Sequence, residues 1–201
     1  MKSIMTSVSP YLCEKTASGQ CKILVRKSAP KEVPFKAYIY CTKSNKYLLD
    51  RDSDGSMFCW DKKEHHYPFK YEKDHEEIFN GKVIGEFICD KVNLIKNQGS
   101  RFSVADEEQS VTNEIARQSC LDYDDMVSYL GNKDGYGLHI SDLKIYDKPK
   151  ELSEFYEKCN IPESKCKLCD NCFYKENGYG QDYAVKKLTR PPQSYMFVEE
   201  I

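Results

Sequence analysis

The chain of 201 residues has no long run of apolar residues. A helix that crosses a membrane needs about 20 consecutive apolar residues, and no segment approaches that length. The first residues, MKSIMTSVSPYLCEK, also lack the continuous apolar core of a signal peptide, because Ser, Pro and Glu interrupt them. We therefore expect a soluble protein of the cytoplasm that does not bind membranes.

The chain also lacks an excess of charge of one sign. Its 30 basic and 32 acidic residues give a net charge of −2, which excludes a wholly basic nucleic-acid binder of the histone type. It does not exclude a local basic patch. Residues 22–43 form such a patch, with six basic residues, one acid and a net charge of +5. A nucleic-acid footprint and a solvated strand edge both fit this segment.

Aromatic residues, 15 Tyr and 9 Phe among them, are too frequent for a disordered chain and indicate a packed core.

Ser9-Pro10 predicts the start of a helix that ends at Gly19. Strands are predicted at CKILVRK, FKAYIYCT, GKVIGEFICDKVNLI, GLHISDLKIYD and SYMFVEE, with a hairpin that turns at Asp54-Gly55. The acidic segment 104–126 predicts one helix capped by Thr112 and a second that ends at Gly131. This order predicts an α+β fold built on a small mixed barrel.

Cysteine is abundant, with ten residues in two kinds of arrangement. Six are scattered singly and are typical of buried thiols in a reducing compartment. The other four, Cys159, Cys166, Cys169 and Cys172, fall in one short loop. Four thiolates with two-residue spacers fit a structural zinc site, and we predict bound zinc there. An iron–sulfur cluster or unligated redox thiols are the alternatives.

Six segments in order resemble the ASCH domain, a family of PUA-like barrels, and they span nearly the whole chain. They are SVSPYLCEKTASG, VRK at 25–27, PFKAYIYCTK, GKVIGEFICDK, LHISDLKIYDKPKELSEF and RPPQSYMFVEE. Several of them look like a bacteriophage or prophage branch of that family. The resemblance implies a single PUA-like domain over 1–201 in a bacterial host cell, with insertions at 45–80, 104–131 and 156–182. It also implies binding of RNA or modified nucleosides in a cleft beside the first helix.

The family signature, Gly-x-Lys-x-x-Glu-x-Arg, is only partly present. Gly19 and Arg26 match it, but Cys21 stands at the Lys position and Leu24 at the Glu position. In the amidohydrolase branch of the family that Lys is catalytic. A slip of one residue would let Lys22 replace it, whereas Leu24 has no group that transfers protons. Cys21 is either a structural thiol or, if a neighbouring cation lowers its pKa, a nucleophile.

The residues predicted to bind a ligand lie on three of the predicted strands. Arg26 recognises a phosphate or a base edge through its planar fork of donors, and Lys22 and Lys27 add positive charge. Tyr40 offers either an aromatic face for stacking or a core side chain. Glu86, in an apolar strand on the face of Ile84 and Ile88, is either half of a buried pair, with Arg26 the candidate partner, or an acid that orients the ligand.

The sequence therefore predicts a module that binds RNA or a nucleotide-like ligand. One alternative is an enzyme, either a nucleoside amidohydrolase or a ribonuclease, that uses Lys22 and Glu86 as substitute catalytic groups. The other is a phage accessory factor that binds a host protein through the acidic helices and the Cys loop.

Overall fold

The computed structural model describes residues 1–63, 79–97, 102–104, 109–158 and 185–200. Besides a single 3₁₀ turn at Leu152–Glu154, the chain forms three α-helices and thirteen strands within these ranges. In chain order they are β1 (Lys2–Val8), α1 (Pro10–Ala17), β2 (Ile23–Arg26), β3 (Phe35–Cys41), β4 (Tyr47–Arg51), β5 (Met57–Asp61), β6 (Val83–Cys89), β7 (Val92–Asn97), β8 (Phe102–Val104), α2 (Gln109–Gln118), α3 (Tyr123–Leu130), β9 (Gly135–His139), β10 (Ser141–Lys150), β11 (Phe155–Lys158), β12 (Val185–Lys187) and β13 (Tyr195–Glu200). The helices of the described ranges lack the length and the hydrophobicity that a membrane span requires.

Most of the strands belong to one large sheet with the order β10-β6-β3-β1-β13-β11-β12. Its central pair, β1 and β3, is parallel, with Ile4 opposite Ala37, and the other pairings are antiparallel. A smaller sheet has the order β2-β9-β7-β8, and β4 and β5 form a separate hairpin. The α+β class predicted from the sequence is confirmed, and the ladders of the described residues are those of two sheets and a hairpin.

Three buried clusters divide the structure into layers. The first fills the space between the two sheets, where Ile4 and Phe87 of the large sheet meet Leu24 and Leu138 of the small one. The second covers the opposite face of the large sheet and includes Met5, Tyr38, Tyr40, Val83, Tyr146 and Phe155. The third joins the small sheet to α2 and α3. A charged residue on the large sheet therefore faces one of two different apolar layers.

The predicted helix at Ser9-Pro10 is confirmed. The Ser9 hydroxyl accepts a hydrogen bond from the Leu12 amide at 3.4 Å, and Pro10 takes the first helical position. Gly19 follows the helix with a φ of 72°, a conformation that glycine adopts without strain. The predicted hairpin is also confirmed, since Gly55 lies in the turn between β4 and β5 with a φ of 90°.

Other boundaries differ from those predicted. The predicted long strand from Gly81 is two strands, β6 and β7, which belong to different sheets. The predicted strand at GLHISDLKIYD is likewise split into β9 and β10, and the chain changes sheet at Ile140. Thr112 lies inside α2 rather than at its start, because the helix begins at Gln109. The sequence pattern therefore located these two extended segments but not the points where the chain moves between sheets.

Candidate functional site

The strand β2 is buried on both faces, and this burial fixes the position of Arg26. Leu24 packs between the sheets and Val25 packs toward the helices, so Arg26 follows Leu24 toward the large sheet. Only 4% of Arg26 is exposed. Its Nε donates to Thr6 Oγ1 at 2.7 Å, Nη1 to the Val25 carbonyl at 2.7 Å and Nη2 to the Ser7 carbonyl at 2.9 Å.

The positive charge of Arg26 is not matched by an acid. None of the ion pairs among the described residues includes it, and its strongest favourable electrostatic neighbour is the Tyr129 phenol. Burial lowers the pKa of the Arg26 guanidinium below its usual value, although an arginine stays protonated near neutral pH. A buried cation without a carboxylate is costly, which makes this position attractive to an anion.

Arg26 lines a cavity of about 420 Å³, which we call the Arg26 cleft. Its walls are the N-terminus of α1, the end of β2 and one side of α3. The polar and aromatic lining residues are Ser9, Arg26, Lys27, Asp125, Ser128 and Tyr129. Lys27 is exposed, and its Nζ lies 5.2 Å from the centroid of the Tyr129 ring. The cleft thus combines two cations, one carboxylate, two hydroxyls and an aromatic ring.

Tyr40 and Glu86 lie on the opposite face of the large sheet from Arg26. Tyr40 is 3% exposed and packs with Tyr38, Tyr146 and Phe155. Glu86 is opposite Tyr38 in the ladder between β3 and β6. The structure therefore brings Arg26 and Lys27 together in one cleft and places Tyr40 and Glu86 elsewhere.

A β-bulge determines which face Glu86 occupies. Ile39 pairs with Gly85 and Tyr40 pairs with Val83, so that Ile84 is the extra residue. A Cβ on Gly85 would clash with the Lys144 carbonyl oxygen, so only glycine fits there. A glycine inside a strand often marks a bulge or a close approach of another backbone, and both are present at Gly85. The expectation that Glu86 shares a face with Ile84 is wrong, because the bulge reverses the alternation between them.

Glu86 is held by neighbours other than Arg26. Lys36 Nζ lies 3.2 Å from Glu86 Oε1, and the Tyr146 hydroxyl donates to Oε2 at 2.7 Å. Burial raises the pKa of the Glu86 carboxyl, but the hydrogen bonds from Tyr146 and Lys36 outweigh it and leave the pKa below its usual value. Of the two roles predicted for Glu86, the geometry fits the structural pair, with Lys36 in place of Arg26.

The other signature positions do not form a reactive group. Lys22 is exposed just before β2 and does not line the cleft; its amide donates to the Gln118 carbonyl at 2.8 Å. The Cys21 thiol is buried and donates to the Ile23 and Ser119 carbonyls. Burial raises the pKa of Cys21 to about 11, so it is not a thiolate at neutral pH. Leu24 is a core residue. Lys22 and Glu86, proposed as substitute catalytic groups, are not brought to one site.

The four cysteines predicted to bind zinc, Cys159, Cys166, Cys169 and Cys172, lie outside the described residues. Within the described ranges no group of three or more His, Cys, Asp or Glu side chains is arranged to hold a metal ion. Zinc in the Cys loop therefore stays a prediction.

The wall of the cleft that α3 supplies was not predicted. Asp125, Ser128 and Tyr129 come from a segment that the sequence correctly predicts as a helix ending at Gly131. Nothing in that segment indicates that the helix lies beside the end of β2, because this packing depends on residues distant in sequence. These three side chains could therefore be assigned to the cleft only from the structure.

The sequence matches no family model and no curated protein. Solved structures of the ASCH protein from Zymomonas mobilis are similar to the chain. One has a TM-score of 0.50 at 13% identity and covers 98% of this chain and 87% of that one. A tyrosine-to-phenylalanine mutant and a serine-to-alanine mutant both give a TM-score of 0.51 at 12% identity over 98% of this chain, covering 90% and 87% of theirs. The fold is that of an ASCH protein, as the sequence resemblance implied.

Proposed function

We propose that this protein is an ASCH-type module that binds RNA or a nucleotide-like ligand in the Arg26 cleft. The observation that carries the proposal is the buried Arg26 guanidinium, which lines a cavity and has no carboxylate partner among the described residues. An anionic ligand would supply the missing negative charge. Phosphate is the anion that the planar donor fork of arginine fits best.

The remaining groups of the cleft suit a nucleotide. Lys27 is exposed at the mouth and adds a second positive charge for a phosphate. Asp125 offers a carboxylate that accepts hydrogen bonds from the amino group of a base, and Ser9 and Ser128 offer hydroxyls for a base or ribose. Asp125 repels a simple inorganic anion such as phosphate. Its presence in the cleft therefore favours a ligand that also carries hydrogen-bond donors, as a nucleotide base does.

The finer features that the sequence resemblance implies are part of the same proposal. The two sheets would be the walls of a PUA-like barrel, and the protein would belong to the phage or prophage branch of the family. The Cys loop would hold a structural zinc ion through Cys159, Cys166, Cys169 and Cys172, as a scaffold without a catalytic role. Zinc measured by atomic absorption on protein purified without added metal tests this feature, and a metal-free protein would contradict it.

The binding test compares a cleft variant with a matched surface variant. Fluorescence anisotropy would measure the binding of short single-stranded RNA to the wild type, Lys27→Ala and Lys91→Ala at several salt concentrations. Lys91 is exposed before β7 and lines no described cleft. We expect Lys27→Ala to weaken binding and to reduce the salt slope by about 0.7, the value for one phosphate contact on a single strand. Lys91→Ala should bind as the wild type does.

Two outcomes would contradict the proposal. Equal effects of Lys27→Ala and Lys91→Ala would mean that the ligand does not use the Arg26 cleft. A wild type that binds no RNA at low salt would exclude RNA as the ligand, and a free nucleoside or a host protein would then be the candidates.

A further inference from the structure

A second cleft opens at the end of β3, on the other side of the large sheet. It has a volume of about 750 Å³, and we call it the Tyr40 cleft. Its charged lining residues are Lys43, Lys187, Arg190 and Glu151. It shares no lining residue with the Arg26 cleft.

The cations of the Tyr40 cleft are available to a ligand. Among the described residues, the side chains of Lys43, Lys187 and Arg190 make no ion pair or hydrogen bond. The Glu151 carboxylate is itself bound, with Lys82 Nζ at 3.5 Å. Within the described part of the chain, three cations without an ion pair therefore face one acid that is itself paired, which favours an anion in this cleft.

Tyr40 also lines the cleft. Tyr40 is only 3% exposed, and its hydroxyl has no hydrogen-bond partner among the described residues. Burial raises the pKa of the Tyr40 phenol above its usual value, and the negative charge of Glu151 adds to the effect. The phenol therefore keeps its proton near neutral pH. A phenol hydroxyl that keeps its proton is a hydrogen-bond donor, so Tyr40 offers a donor to a ligand in this cleft that accepts a hydrogen bond.

The two clefts lie at the same edge of the large sheet. Because β1 and β3 are parallel neighbours, their C-terminal ends lie side by side, and the Thr42 amide donates to the Val8 carbonyl at 2.8 Å. Ser9 follows β1 into the Arg26 cleft, and Lys43 follows β3 into the Tyr40 cleft.

One segment of chain connects the two clefts along this edge. Arg190 lines the Tyr40 cleft, and two residues later the Pro192 carbonyl accepts a hydrogen bond from Ser7 Oγ at 2.6 Å. The Ser7 carbonyl in turn accepts the bond from Arg26 Nη2. Arg26 and Pro192 thus bond to the same residue, Ser7, at the strand end, and Arg190 lies two residues before Pro192.

We infer that the Tyr40 cleft is a second phosphate-binding site for the same RNA strand, which crosses the end of β1 to reach it from the Arg26 cleft. Lys43, Lys187 and Arg190 would hold the phosphate, and the Tyr40 hydroxyl would donate to one of its oxygens. This inference rests on the proposed function, since it assumes that RNA occupies the Arg26 cleft. It adds that a nucleoside monophosphate occupies the Arg26 cleft alone, whereas a longer RNA strand occupies both clefts.

The test compares ligand lengths. Binding of a nucleoside monophosphate and of a single-stranded RNA of about ten nucleotides would be measured for the wild type and Lys187→Gln/Arg190→Gln. We expect the double variant to bind the oligonucleotide at least tenfold more weakly at low salt, with a salt slope lower by about 1.4 for two lost contacts. Binding of the monophosphate should be unchanged, because it fits in the Arg26 cleft.

Two further variants separate the site from general electrostatic attraction. Lys91→Gln/Lys96→Gln removes two exposed charges from the small sheet, where they line neither cleft, and should have at most a small effect. Tyr40→Phe removes only the hydroxyl and should weaken binding of the oligonucleotide by a few fold without changing binding of the monophosphate.

Each result decides between the two proposals. If the control double variant weakens binding as much as Lys187→Gln/Arg190→Gln, or if the monophosphate is affected equally, the second site is overturned and the proposed function stands. If Lys187→Gln/Arg190→Gln weakens oligonucleotide binding while Lys27→Ala does not, the Arg26 cleft is the proposal that fails. A wild type that binds no RNA overturns both.

Discussion

Arg26 and Glu86 are both charged side chains on buried strands, and they lie on opposite faces of the large sheet. They differ in whether a neighbouring group of opposite charge pairs with them. Glu86 has a lysine at 3.2 Å and a tyrosine hydroxyl at 2.7 Å, so its charge is satisfied within the protein. Arg26 has hydrogen bonds to two carbonyls and the Thr6 hydroxyl. Those groups orient the guanidinium without cancelling its charge.

This difference in pairing indicates that Glu86 stabilises the fold and that Arg26 binds a ligand. An ion pair gains little free energy from a further partner, because the attraction between its two charges already compensates for the water that each has lost. An oriented cation beside a cavity gains the full attraction of an incoming anion in a partly dry site. Arg26 lies beside such a cavity, and Glu86 lines none of the cavities described above. The predictions below test this distinction.

The largest effect is expected from Arg26→Gln, which removes the charge that the ligand would meet. Loss of one partner of a buried charged contact costs about 2–5 kcal/mol of binding free energy, so RNA affinity should fall by roughly 30-fold or more. Arg26→Lys keeps the charge but loses the planar fork of donors, and it should retain part of the affinity. Anisotropy with short single-stranded RNA measures both.

Folding has to be measured beside binding for these variants, because Arg26 also holds Thr6 and Ser7. Urea unfolding should show that both variants are folded under the binding conditions, and the same RNA should bind normally to Glu86→Gln. If Arg26→Gln is folded and binds RNA as the wild type does, Arg26 is a structural residue and the contrast with Glu86 disappears.

A smaller effect, on stability, is expected from Gly85→Ala. The added Cβ would clash with the Lys144 carbonyl oxygen, so the bulge or strand β10 has to move. Overpacking of this kind costs about 1–3 kcal/mol of unfolding free energy, and urea unfolding followed by circular dichroism would measure it. Gly137→Ala is the matched control in β9, since its Cβ would meet only side chains, Ile23 Cγ2 the nearest at 3.0 Å. Equal losses in both variants would contradict the tight approach at Gly85.

The sequence predicted those parts of the fold that depend on neighbouring residues. The cap at Ser9, the turn at Gly55 and the strand at CKILVRK are local, and the structure has each of them. The central strand β1 was not predicted. Its residues, KSIMTSV, mix polar and apolar side chains, and their strand conformation depends on pairing with β3 and with β13, far along the chain.

The candidate site divides in the same way. Arg26 and Lys27 were predicted from the signature and the basic segment, and both line the cleft. The face of Glu86 was assigned from regular alternation, which the bulge before it reverses. The contribution of Tyr129 could not be predicted, because a helix pattern shows which face is apolar but not which strand it will cover.

The smallest effect is expected from Glu86→Gln, and its pH dependence identifies the charge as the cause. The hydrogen bonds from Tyr146 and Lys36 hold the pKa of the Glu86 carboxyl below its usual value of 4.5. The unfolded chain therefore binds a proton more readily than the folded one between the two pKa values. The stabilisation is fully present above pH 4.5 and is lost as the pH falls through the folded pKa. At pH 7 the variant should lose about 1 kcal/mol, the size typical of a partly exposed pair.

The measurement is urea unfolding of the wild type and Glu86→Gln from pH 7 down to the limit of folding. The difference between them should shrink below pH 4.5, where the wild-type carboxyl takes up its proton and comes to resemble the amide. Glu157→Gln, an exposed residue without an ion pair among the described residues, controls for the change of charge. If the difference in unfolding free energy stays constant with pH, Glu86 acts through packing rather than through its charge. The comparison of a paired charge at Glu86 with an unpaired charge at Arg26 would then fail for Glu86.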